Sequence, residues 1–405
     1  MKKRIFKRKI IDEILKYLDT GDIVVLHGAR QVGKTSIMYW LRDYLINDNK
    51  ITHYIDLEDS RMVDILNSGP EGFLNYLKGE GFLLEQRKTF VFIDEIQYLD
   101  NPSEFLKLIA DHHKYLKLIV SGSSSFEIKN KFKDSLVGRT VNFEIFNLSF
   151  SEYLLFNNYH FDKKITTTDK KIDELKSFFK DYILYGGYPK IVLTAEVEMK
   201  EKYLQQIIDT YVRRDIRDLA EIKEIEKFNK LLEILAVQSG QLLNISELSN
   251  TCDLSKTTIE KYLFILENTY ILKLVKPYYN NIRSELFKTP KIYFYDSGLM
   301  QMLRYRGLQK KITGSALETA IYSELVKNFD QDNVFYWRTK DRKEIDFILR
   351  KKNNIIVPVE IKFNFSGFKS EAMNYFIKHY NINEYLVIGL SGKKDRKEFI
   401  YPWEF

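Results

Sequence analysis

Over its first 150 residues the chain alternates short β-branched, apolar runs with stretches whose apolar positions recur every three or four residues. That pattern predicts a mostly parallel sheet covered by helices. Strands are predicted over 23–27, 53–57, 89–94, 116–121 and 140–146, and helices over 36–45, 71–79 and 103–115, the last with Ser103 as its N-cap. From Ser149 to Glu224 the period is helical, broken at Gly186-Gly187-Tyr188-Pro189, where paired glycines and a proline mark a tight turn. Residues 225–280 then read as a helix over 225–238, a short helix over 246–250, a helix over 255–268 and a β-hairpin over 271–279, the order of a winged helix. Beyond 280 the pattern returns to α/β, with strands over 292–295, 334–337, 344–349, 355–363 and 385–389. The predicted organisation is an α/β core over 1–150, a helical connector over 151–224, a winged helix over 225–280 and a second α/β domain over 281–405.

Composition narrows the function classes. The 405 residues are 44% hydrophobic, which is ordinary for a folded chain and excludes disorder as the main state. Lys and Arg number 63 against 56 Asp and Glu, a net charge of +7 that allows a polyanionic partner without demanding one. The one cysteine, Cys252, excludes an intrachain disulfide or a cysteine-rich zinc site, and the six histidines show no ligand spacing. The N-terminal MKKRIFKRKI has a signal peptide's charge but no apolar core behind it, and no run approaches ~18 apolar residues, so a cytoplasmic protein without a membrane partner is expected.

Residues 28–35, GARQVGKT, place two glycines five apart before Lys and Thr, directly after an apolar strand and at the start of an amphipathic helix. In that setting the loop Gly28, Ala29, Arg30, Gln31, Val32, Gly33, Lys34, Thr35 and Ser36 would cradle the phosphates of ATP at a helix N-terminus. Lys34 would reach the β and γ phosphates, and Thr35 would put its hydroxyl on Mg²⁺. Gly28 and Gly33 would supply backbone angles and close approach that a Cβ blocks. Asp94 and Glu95 end the run FVFIDE, at the strand edge where open α/β sheets bind nucleotides. Asp94 is expected to hold the metal, directly or through water, and Glu95, left free, to polarise the attacking water. Two weaker candidates are Ser121, in LIVSGSSS, for the γ phosphate or the water, and Arg139, for transition-state charge from this subunit or a neighbour. Ordinary loop chemistry for the serine and a solvated surface role for the arginine stand beside those readings.

With GARQVGKT, FIDEIQ, VSGSSS, LVGRTVNFEIFNLSFSEYL and YGGYP in this order, the chain resembles the bacterial and archaeal AAA-like ATPases whose C-terminal half is called domain of unknown function 4143. YVRRDI at 211–216, YDSGL at 295–299, the segment 314–318, EIDFIL and VEIKF agree, so the resemblance runs nearly end to end. It implies an ATP-dependent P-loop NTPase core with a parallel sheet, a helical connector, a winged helix, and a C-terminal α/β domain similar to the restriction-endonuclease fold.

The segment EIDFILRKKNNIIVPVEIKF can be read without the family. Its apolar residues alternate on both sides of Lys352-Asn353-Asn354, and a three-residue turn there sets Asp346 opposite Glu360, with Lys362 two along on the same face. Such a D…E-x-K pattern suits Mg²⁺-dependent phosphodiesterases, with Asp346 and Glu360 on the metal, Lys362 beside them and Glu318 completing the site. A plain cross-strand charge cluster in a catalytically silent domain is the alternative. In the predicted winged helix, Ile259, Tyr262, Leu263 and Leu266 form the buried stripe, leaving Lys256, Thr257, Glu260, Lys261 and Phe264 outward. That weakly basic face, with Lys273 and Lys276, suits contact with DNA phosphates or packing against protein rather than base reading. Three functions follow as expectations: an ATP-hydrolysing switch, a nuclease gated by ATP, and a non-cleaving DNA or protein interaction module.

Overall fold

The computed structural model describes residues 5–82, 87–122, 136, 138–162, 168–219, 222–279 and 289–405. Ser123 to Ser125 and Val137, quoted above within motifs, lie outside them. The chain divides into two compact units, 1–147 and 148–405.

In the first unit five parallel strands form one sheet. They are β1 (Ile23–His27), β2 (Ile51–Asp56), β3 (Thr89–Asp94), β4 (Leu116–Gly122) and β5 (Thr140–Glu144), in the order β2-β3-β4-β1-β5. β1, β3 and β4 are buried along their whole length, as their near-continuous apolar runs require when helices cover both faces. Val25, Val91, Ile93 and Val120 pack against Leu66, Phe73, Leu77, Leu106 and Ile109 of the helices Ser60–Asn67, Pro70–Gly79 and Pro102–His112. The helix Lys34–Asn47, with Ile37, Met38 and Leu41 buried, packs on β2, β3 and β4. Because β4 lies between β1 and β3, the loops after those two strands open over the end of β4.

Two local expectations change here. The helix 60–67, capped by the Asp59 side chain on the Arg61 amide, was not foreseen. The predicted N-cap Ser103 lies inside its helix: Asn101 is the N-cap and Pro102 takes the first helical position, where its missing N–H costs nothing.

The second unit opens with the helix Phe150–Phe156, closed at its N-terminus by a reciprocal Ser149 and Glu152 capping box. Helices Asp169–Tyr185, Pro189–Val192 and Val197–Ile207 follow, the last running into a π-helical stretch, Ile208–Asp215. Asp296 joins two of the sequence motifs. It accepts from the Gly187 amide at 2.8 Å and caps the helix Ser297–Tyr305 through Leu299 N at 2.8 Å. A Cβ on Gly186 would stand 2.1 Å from that carboxylate, which explains the glycine of YGGYP.

The three helices Ile225–Val237, Ile245–Cys252 and Lys256–Asn268 occur in the predicted order, the last capped by Ser255. The hairpin expected over 271–279 does not form. β6 (Leu272–Val275) pairs antiparallel with the distant β7 (Lys291–Phe294), a strand the sequence reading assigned to the last domain. Pro277 has no N–H to continue a ladder, and its neighbours turn instead to the strand Val334–Arg338, with Tyr278 N donating to Tyr336 O at 2.7 Å.

The C-terminal sheet has the order β12-β11-β10-β9-β8, from β8 (Val334–Arg338), β9 (Glu344–Arg350), β10 (Ile356–Asn364), β11 (Leu386–Ser391) and β12 (Phe399–Ile400). β8, β9 and β10 are antiparallel neighbours, and the helix Glu371–Tyr380 carries the chain to β11, parallel to β10. No described helix is long and apolar enough to cross a membrane.

Candidate nucleotide site and C-terminal carboxylate cluster

The loop after β1 is shaped by the strand end beside it. Gly28 lies so close to Ile145 that a Cβ would stand 2.1 Å from the Ile145 carbonyl oxygen, and that contact is backbone on backbone and cannot move aside. Gln31 takes a left-handed conformation at φ 62°, and Gly33, at φ 100°, is the N-cap of the helix Lys34–Asn47. Val32 is buried while Gln31 and Ser36 are exposed and Arg30 is half-buried. Lys34 turns back into the loop, its ammonium donating to Gly28 O at 3.1 Å and Ala29 O at 2.7 Å. Burial pulls its pKa down to about 8, against the opposing pull of Glu95 and Asp94.

Asp94 is the hub of the site. Buried at the end of β3, it accepts from Thr35 Oγ1 at 2.7 Å and Tyr54 Oη at 2.7 Å on one carboxylate oxygen. The other oxygen accepts from the Ser121 hydroxyl and, at 3.2 Å, from the Glu95 amide. Ser121, fully buried at the end of β4, also accepts from Glu95 N at 3.4 Å, so it locks Asp94 and Glu95 together. Glu95 itself has a left-handed backbone, φ 56° and ψ 47°, an uncommon state for a glutamate, and its carboxylate accepts from the Gln97 amide. The hydroxyl of Thr35 and the carboxylate of Asp94 are hard oxygen donors. Their separation compares with roughly 2.9 Å for adjacent ligands of an octahedral Mg²⁺ at 2.0–2.1 Å, so the pair fits that ion.

Sequence reasoning missed three participants. Tyr54 lies two residues before the end of β2, on the face that Asp94 shares with it. Gln97 stands within FIDEIQ. Arg8, buried, donates to Val32 O at 2.9 Å and Phe146 O at 3.0 Å, tying the crest of the phosphate loop to the chain beyond β5. Only the parity of residues 54 and 94 on paired strands was available as a signal.

Arg139 is not brought to the phosphate loop of its own chain. It precedes β5, and its carbonyl accepts from the first residue of β1, so it lies at the edge of the sheet opposite the phosphate loop. There its guanidinium is bidentate on Asp111, at 2.7 and 3.1 Å. The parallel sheet separates it from the nucleotide site of its own chain.

In the C-terminal domain the pairs Ile356 with Arg350, Val357 with Leu349 and Val359 with Phe347 keep the register that the three-residue turn predicts, and the ladder ends there, one step short of Asp346 and Glu360. The proposed metal site is nevertheless not assembled, and among the described residues no three carboxylate, histidine or cysteine side chains are placed to hold an ion. One Asp346 oxygen is committed to the Ile361 amide at 2.7 Å, and Glu360 is paired with Lys362 at 2.6 Å. Glu318 accepts from Tyr293 Oη at 3.3 Å. Burial raises the pKa of Glu318, Asp346 and Glu360; the Asp346 charge adds to the effect on both glutamates, while Lys291 and Lys362 oppose it.

The sheet, the glycine loop and the acidic strand end together define a P-loop nucleotide-binding unit. Residues 20–154 match a family model described as an AAA domain. Residues 313–403 match a domain of unknown function, DUF4143, and residues 176–311 another, DUF8612. The chain thus combines a segment similar to an AAA domain with a C-terminal segment similar to domain of unknown function 4143. An uncharacterized protein of Haemophilus influenzae is 27% identical over 398 residues, spanning 96% of this chain and 94% of its own. An uncharacterized protein of Methanocaldococcus jannaschii is 26% identical over 377 residues, spanning 91% and 81%. Among solved structures, a Walker-type ATPase of Pyrococcus abyssi aligns over 74% of this chain and 96% of that one, at 15% identity and a TM-score of 0.44.

Proposed function

We propose that the chain is an ATP-binding and ATP-hydrolysing switch that requires Mg²⁺. The observation that carries this reading is the convergence on Asp94 of Thr35 from the loop after β1, Ser121 from β4 and the amide of Glu95. Thr35 and Asp94 are the residues that would hold Mg²⁺, which when bound neutralises charge on the β and γ phosphates. Lys34 exchanges its two carbonyl partners for phosphate oxygens, and the amides of residues 30–34 face the same phosphates. Glu95, held by Gln97 and by its own backbone geometry, accepts the proton of the attacking water. Ser121 keeps Glu95 and Asp94 in register rather than reaching the phosphate itself.

The test pairs two substitutions. Lys34→Ala is expected to abolish ATP binding in calorimetry. Glu95→Gln is expected to bind ATP like the wild type while hydrolysis falls by about 10² to 10⁴. Wild-type turnover by Glu95→Gln would remove Glu95 as the base, and unchanged affinity in Lys34→Ala would remove the loop as the phosphate site.

Contact with DNA phosphates accompanies this reading, supported by Lys256 and Lys261, which are exposed on the helix Lys256–Asn268 beside the exposed Phe264. The nuclease alternative is not supported: the Asp346 and Glu360 carboxylates are committed to an amide and an ammonium, and no step is derived through a metal there.

A further inference from the structure

Beside the amide of its neighbour Glu95, Asp94 receives a hydrogen bond that neither the phosphate loop nor β4 supplies, from a tyrosine on the edge strand β2. In the parallel pairing of β2 with β3, Tyr54 is level with Phe92 and Asp56 with Asp94, so the Tyr54 side chain leaves the sheet on the face that carries Asp94. Its hydroxyl reaches Asp94 Oδ2 at 2.7 Å, on the oxygen that also accepts from Thr35. The ring is held on two sides, 4.8 Å from Tyr39 and 6.4 Å from Phe92 between centroids, with the Arg42 guanidinium over both Tyr39 and Tyr54. Thr35, Tyr39 and Arg42 recur at i, i+4 and i+7, so a single stripe of the helix Lys34–Asn47 meets both Tyr54 and Asp94. A hydroxyl on a ring so confined has little freedom left to lose.

We propose that Tyr54 is the positioning residue of the metal-holding carboxylate, its hydroxyl fixing the rotamer of Asp94 so that the carboxylate stays beside Thr35, where the ion would sit. The inference rests on the Mg²⁺ and ATP reading of this site. Outer hydrogen bonds of this kind orient a ligating carboxylate, and their loss typically weakens metal affinity by about 10 to 100-fold. The Thr35 hydroxyl can turn its lone pair to a cation while its proton stays on Asp94, whereas Tyr54 has no other role at the carboxylate than donor.

The test is Tyr54→Phe, which deletes one oxygen and keeps the ring in its stack. Binding of the non-hydrolysable analogue AMPPNP is measured by calorimetry, first in EDTA and then across a Mg²⁺ titration. In EDTA the variant is expected to match the wild type, which also reports an intact fold. The Mg²⁺ concentration that half-restores tight binding is expected to rise about 10-fold or more. The same Mg²⁺ dependence in both proteins overturns the inference and leaves the nucleotide site standing. An equal loss of affinity with and without Mg²⁺ also overturns it, because the hydroxyl would then support the fold alone. A wild type that binds no analogue at all removes the site reading and this inference with it.

Discussion

At the scale of single residues, Lys34 holds its ammonium on two backbone carbonyls in a buried setting, with a pKa near 8 rather than 10.5 because burial outweighs the pull of Glu95 and Asp94. Polyphosphate charge favours the protonated amine, so ATP binding takes up a proton once the pH exceeds about 8. Affinity is therefore expected to stay level near pH 7 and to fall above pH 8, approaching tenfold per pH unit. Calorimetry from pH 7 to 9.5, in two buffers of different ionisation enthalpy, reads both the affinity and the proton uptake. Constant affinity to pH 9.5 would contradict this account of Lys34. The same shift acts on folding with the opposite slope: between about 8 and 10.5 the unfolded chain binds more protons, so the cost of burying Lys34 relaxes as pH rises.

At the scale of elements, the β9 and β10 pair and the helix Gly314–Asn328 gather three carboxyls whose pKa values burial raises. Between the ordinary carboxyl range and these raised values the folded state holds more protons than the unfolded one. Stability of the second unit should then fall as pH rises through that window, and it is fully present below it. Glu318→Gln, neutral at every pH, should lose less on going from pH 5 to pH 8, by about 2–4 °C in Tm for each kcal/mol relieved. Thermal scans of both proteins at the two pH values measure it, and identical slopes would count against a buried, proton-sharing cluster. The register of this hairpin was legible from alternation alone, because its turn and both strands lie within one short segment. The commitment of Asp346 to the Ile361 amide was not legible, since it depends on where the ladder stops.

For the whole molecule, a net charge of +7 and two exposed lysines on the helix Lys256–Asn268 set how nucleic acid would bind. Two lysine contacts to phosphates predict binding indifferent to sequence that weakens about tenfold between 50 and 200 mM salt. Fluorescence anisotropy with two unrelated duplexes at both salt concentrations reads specificity and slope together. No binding at low salt would assign that helix face to protein contacts.

Spacing along the chain determined the phosphate loop, the acidic strand end and the five strands of the first unit, because each depends on residues within about ten positions of one another. Tertiary structure alone decided what those pieces meet. Tyr54 reaches Asp94 only because β2 and β3 are neighbours, and Arg8 reaches Val32 and Phe146 across 24 and 138 residues. The place of Arg139 was hidden for the same reason: its motif is local, while its position at the far edge of the sheet follows from parallel pairing with β1. The wing failed as a hairpin because β6 found its partner in β7, beyond the segment that local periodicity could scan. Hydrophobic period and turn chemistry are properties of short windows and survive in the sequence. Strand order and long-range hydrogen bonds depend on which buried surfaces fit, and only the folded chain settles that.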